Sequence, residues 1–86
     1  MKQLSSEEAI EFANKEKYRF MSKYEIAAWQ LHQECLCMPF NVFHEAIEYT
    51  LGRPVFTHEF GINVENLKLE LSNIEGIKEI LEKFEV

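Results

Sequence analysis

Aspartate is missing from this chain: all fifteen acidic residues among its 86 are glutamate. Asp favours caps and turns, where its short carboxylate competes for backbone groups. Glu favours helix interiors, so an acid set made of Glu alone suits a helical protein. Glycine is nearly as scarce, with three residues, and the sequence holds no P-loop, no Gly-rich phosphate cradle and no G-x-S-x-G elbow. Cysteine is limited to Cys35 and Cys37, too close together to staple distant parts of the chain. A single C-x-C is also tighter than a zinc knuckle and has no second pair to complete it. Reduced thiols and a cytosolic setting are expected. No apolar run approaches the roughly 20 residues of a membrane span, and "MKQLSSEEAIEF" is charged from its start, so neither a membrane segment nor a signal peptide is expected. Basic residues number nine against fifteen acids, leaving a net charge of -6 that argues against binding to nucleic-acid backbones.

Apolar residues make up 47% of the chain and aromatics 13%. That is enough for one compact core in a single domain, residues 1–86, although so short a chain buries only about 60–65% of its unfolded surface. Helix signals punctuate the sequence. Ser5 with Glu8 and Ser22 with Glu25 form capping boxes, and Ser72 with Glu75 forms a third. The first helix would turn Ile10 and Ala13 inward. In the second, Met21 would staple onto Ile26, and Tyr24, Ala28, Leu31 and Cys35 would form the buried stripe with Trp29 on its flank. Asn41 would cap a third helix through Leu51, with Phe43, Ile47, Thr50 and Leu51 inward. Gly52 stands where a left-handed C-cap belongs, and Pro54 forbids continuation. The last helix would bury Ile74, Ile77, Ile80, Leu81 and Phe84. "NLKLELS" alternates with period two as a strand would, but Asn63 can cap a helix carrying Val64, Leu67 and Leu71, and the helix is the reading adopted. The expected fold is all-α, a compact irregular bundle of four or five short helices.

The stretch "FHEAIEYTLGRPVFTHEF", residues 43–60, says His-Glu twice on either side of a corner. His44 and Glu48 are four apart on a helix and could face one ion, with His58 and Glu59 joining from the next segment. Against this there is no H-E-x-x-H, and His44 neighbours Ile47 and Leu51, where a histidine is usually a packed boundary residue. His32, Cys35 and Cys37 in "HQECLC" could supply three soft ligands, but small buried cysteines before a Pro turn are the reading adopted. Lys15, Lys17, Arg19 and Lys23, interleaved with Tyr18 and Phe20, read as a solvated loop. Arg53 can pair with Glu48 or Glu59, and Thr57 can cap the turn that follows. The corner then reads as a polar clasp, with no metal and no cofactor expected. Acidic terminal helices carry Glu7, Glu8, Glu11 and Glu16 at one end and Glu75, Glu79, Glu82 and Glu85 at the other.

The run "LHQECLCMPFNVFHEAIEYTLGRPVFTHEFG" resembles a family of small uncharacterised proteins encoded by bacterial phages and prophages. The resemblance rests on Phe43, His44, Glu45, Gly52, Arg53, Pro54, Thr57, His58 and Glu59. It brings no established activity. By analogy with small acidic phage proteins it implies a non-enzymatic binding module that engages a host or phage protein, including the occlusion of defence enzymes. The tentative binding residues are His44, Glu45, Glu48, Arg53, His58, Glu59, Glu75, Glu79 and Glu82. The alternative is a small-ligand or metal site at the 44–59 corner, as a nucleotide sponge or a minor hydrolase.

Overall fold

Two of the three capping boxes start helices. In the computed structural model, which describes residues 1–84, Ser5 Oγ accepts the Glu8 N–H at 3.2 Å and the Glu8 carboxylate accepts the Ser5 N–H at 2.9 Å. This opens α1, Ser6–Asn14. Ser22 and Glu25 repeat the exchange at 3.1 and 2.8 Å to open α2, Lys23–Leu31. The remaining helices are α3 (Phe40–Leu51), α4 (Glu59–Ile62), α5 (Val64–Ser72) and α6 (Ile77–Lys83), with a 3₁₀ turn at Lys17–Phe20. The described residues contain no strand, so the fold is all-α. The six α-helices among the described residues exceed the four or five expected; five have seven residues or more. The addition is α4, one four-residue turn inside the corner.

The core is built around α2. Six consecutive residues, Ile26 to Leu31, are buried, and α2 packs most extensively on α3 and also on α5 and α6. A helix enclosed on several sides has no single stripe, which corrects the expected face. Tyr24 is largely exposed, and Cys35 lies beyond the helix end. Trp29 is buried, stacked on Phe12 at 4.9 Å. In α1 the core-facing residues are Ala9 and Phe12, while Ile10 is exposed. Burying a run such as Ile26–Leu31 removes apolar area worth roughly 25 cal/mol per Å² from water.

Helix α3 starts at Phe40 with Pro39 in the N-cap position, two residues before the predicted Asn41 cap. The Pro39 carbonyl accepts the Val42 N–H at 3.0 Å, so the backbone closes the first turn without a side chain. Phe43, Ala46, Ile47 and Thr50 are buried on its inner face. Its end is as predicted: Gly52 is left-handed at φ +70°, and its N–H reaches the Glu48 carbonyl at 2.9 Å.

Leu67 and Leu71 are fully buried, and their spacing of four puts both on one face of α5, so this segment is a helix as adopted. The third capping box does not form. Ser72 is still within α5 and donates its hydroxyl to the Leu69 carbonyl at 2.6 Å. Gly76, left-handed at φ +91°, occupies the N-cap position, and α6 begins at Ile77. A left-handed residue cannot lie inside a right-handed helix begun at Ser72, and glycine adopts that conformation at little cost. The apolar stripe survives the shift: Ile77 is buried, and Ile74, Ile80, Leu81 and Phe84 pack on the core. Lys83 then reaches Glu25 at 2.8 Å, tying α6 to the start of α2. Glu85 lies outside the described residues. No helix among the described residues is long and apolar enough to cross a membrane.

Candidate functional site at the 44–59 corner

After Gly52 the chain must reverse and expose polar backbone near the core, and side chains satisfy it. His44 and Glu48, one turn apart on α3, both address Val55. The His44 Nε2 contacts the Val55 carbonyl, and the Glu48 carboxylate accepts the Val55 N–H at 2.8 Å. A carbonyl can only accept, so His44 Nε2 carries a proton and is not available as a metal ligand. Two side chains thus serve both polar backbone groups of one residue while its own side chain is buried. The His44 ring packs on both Phe40 and Phe60, at 5.6 and 5.5 Å.

Arg53 holds the other half of the corner. Its Nε and Nη2 donate to the two oxygens of Glu70, both at 2.8 Å. Nη2 also donates to Glu59 Oε1 at 3.1 Å, and Nη1 to Glu59 Oε2 at 3.4 Å and to the Pro54 carbonyl at 2.9 Å. These five contacts match the five donors of a guanidinium. Hydrogen bonds from Arg53 hold the Glu70 and Glu59 carboxyls below the usual carboxylate range, and the same bonds raise the guanidinium's own pKa. Glu59 Oε2 also accepts the Phe56 N–H at 2.9 Å. This bond opens α4, where a Thr57 side-chain cap was expected; His58 stands in the N-cap position and makes no capping bond.

The structure therefore joins some of the predicted residues and separates others. Arg53 pairs with Glu59 but not with Glu48, which is committed to Val55. Its stronger partner, Glu70, was missed because it lies 17 residues further along the chain, beyond any local spacing rule. His58 is exposed, stacked on Phe56 at 5.8 Å, away from the His44–Glu48 pair. Glu45 points elsewhere, to Lys23 at 3.4 Å, whose ammonium lies over the Tyr49 ring. Glu75, Glu79 and Glu82 are exposed. Among the described residues no three or more His, Cys or acidic side chains are placed to hold a metal ion. His32 Nδ1 faces the Ala28 carbonyl at 2.8 Å, and the buried Cys37 donates its thiol to the Cys35 carbonyl. Burial pushes the Cys37 thiol up to about 11, which keeps it protonated and unreactive at neutral pH.

Chemically, the corner is poor in free groups. A general base for neutral pH needs a raised carboxyl pKa, and those of Glu59 and Glu70 are lowered. Comparison with known proteins gives a family match. Residues 23–65, half of the chain, fit a family model described as "Domain of unknown function (DUF7736)". The matched segment runs from the start of α2 into α5 and includes the whole corner except Glu70. No curated protein and no solved structure matches the chain.

Proposed function

The chain belongs to that family, and we propose that it is a non-enzymatic binding module for a basic protein partner, of phage or prophage origin and acting in a bacterial cytoplasm. The observation that carries this reading is the full commitment of Arg53. All its donors go to Glu59, Glu70 and Pro54, so the one arginine of the corner is engaged in holding the fold. What remains for recognition is surface. Glu75, Glu79 and Glu82 project from the α6 region without an ion pair to any described residue, on a body of net charge -6. Such a field steers a basic partner and makes association sensitive to salt. Inhibition of a host defence protein by covering its basic groove fits this chemistry, as does modulation of a phage protein.

The test is capture of a partner from bacterial lysate at low salt, followed by affinity measurement at low and moderate salt. The triple variant Glu75→Lys, Glu79→Lys, Glu82→Lys should keep the fold and weaken binding. Unchanged affinity at both salt concentrations removes the α6 surface from the reading, and turnover of a nucleotide or ester by the purified protein overturns it.

A further inference from the structure

An open groove of about 340 Å³ runs between the end of α2, the loop that follows, and the starts of α3 to α5. Its apolar walls are Leu31, Leu36, Phe40, Phe43, Phe60 and Val64. The three phenylalanines fix one another: Phe60 lies 5.2 Å from both Phe40 and Phe43, and Phe40 lies 6.2 Å from Phe43. Leu36, at the rim, is 50% exposed.

The polar lining is largely committed elsewhere. Gln30 accepts the Cys37 N–H and donates to the Cys35 carbonyl, at 2.8 and 2.9 Å. Gln33 accepts the Leu4 N–H and donates to the Lys2 carbonyl, at 3.0 and 2.8 Å. Glu34 is different: it is exposed at the groove and pairs with no described cation. A neutral polar ligand finds few partners here, and an anion meets Glu34 and the net charge of -6. An apolar group beside a cation satisfies both the walls and the rim. A second copy of this chain would bring its own Glu34 and its own -6, so charge disfavours it. All the lining residues fall within residues 23–65, the segment that defines the family.

We propose that this groove seats an aromatic or leucine side chain of a basic protein segment, with a neighbouring Lys or Arg of that segment paired to Glu34. The proposal rests on the protein-binding reading and adds the anchor's place and chemistry. The volume is at the small end for ligand pockets, which suits one or two side chains better than a large cofactor. Interfaces commonly concentrate their energy in such buried anchors.

The experiment is an NMR titration of the intact protein with three blocked tripeptides: Lys-Phe-Lys, Lys-Ala-Lys and Glu-Phe-Glu. Lys-Phe-Lys is expected to shift signals of Leu36, Phe40 and Phe60. Its affinity should exceed that of Glu-Phe-Glu by about fivefold, the upper worth of an exposed ion pair, and Lys-Ala-Lys should leave the groove signals in place. In the exposed-site variant Glu34→Gln the gap between the two Phe peptides should narrow, with both still at the groove. Equal binding of all three peptides to the wild type overturns the proposal, as does a shift map centred outside the groove. Groove signals that broaden with protein concentration without peptide assign the groove to a second copy and also overturn it. The binding reading fails separately, if no partner is captured; a captured partner indifferent to Glu34→Lys and Leu36→Glu overturns the groove alone.

Discussion

Arg53 and Glu70 meet as a two-pronged pair, Nε to Oε2 and Nη2 to Oε1, both at 2.8 Å, joining the corner after α3 to the second turn of α5. Glu59 shares the same guanidinium. Both carboxyls are held below their unfolded values by it, so their contribution to stability is complete above about pH 4.5 and is lost as pH falls through the folded values. The melting temperature should therefore drop on acidification below that point. Arg53→Lys keeps a charge but loses the fork. It should melt lower at neutral pH and show a shallower acid dependence, by thermal melts from about pH 7 to about pH 3. A wild-type acid slope in the variant would remove the pair from this account.

Gly52→Ala should cost about 1 kcal/mol, because a left-handed residue with a Cβ is disfavoured. Beyond the adjoining residues nothing lies within 4 Å of the added Cβ, so the φ of +70° sets the cost. Asn tolerates that conformation better, and Gly52→Asn should lose less. Chemical denaturation of the two variants checks the order.

Thr50 is buried in α3, and its hydroxyl is the one buried side-chain oxygen or nitrogen among the described residues without a hydrogen-bond partner. Desolvating such a group costs about 1–3 kcal/mol. Thr50→Val keeps the branched shape and should raise stability by about 1 kcal/mol. A destabilised variant would place a hydrogen-bond partner at that hydroxyl.

Protein purified without chelator or affinity tag should contain no stoichiometric transition metal. His44 Nε2 is turned to a carbonyl and His58 stands apart from it, so the two His-Glu units do not converge. Elemental analysis returning near one equivalent would contradict this geometry and revive the ligand-site alternative.

The sequence carried those features that are decided within about one helical turn. Ser5–Glu8 and Ser22–Glu25 are such features, as are the Gly52 stop and the Leu67–Leu71 face. Ser72–Glu75 has the same spelling and fails, because Ser72 still belongs to the preceding helix and Gly76 takes the left-handed position. The α2 stripe held at Ala28 and Leu31 and failed at Tyr24, because periodicity finds a single face only where one side meets water, and α2 is enclosed. At the corner, His44 was legible as a boundary residue and Arg53–Glu59 as a pair. Glu70 and the grip on Val55 depend on where α5 docks and how the chain folds back, which no spacing encodes.

The enclosure of α2 also sets how the molecule opens. An amide there exchanges with solvent only when the layers of α3, α5 and α6 have lifted away, so its protection should approach that of global unfolding. The turn α4 contains no buried residue and is four residues long. It should open on its own, at a fraction of that free energy, carrying Phe60 away from Phe40 and Phe43 as it does so. Breathing of one small turn would thus widen or narrow the aromatic groove while the helix behind it stays shut.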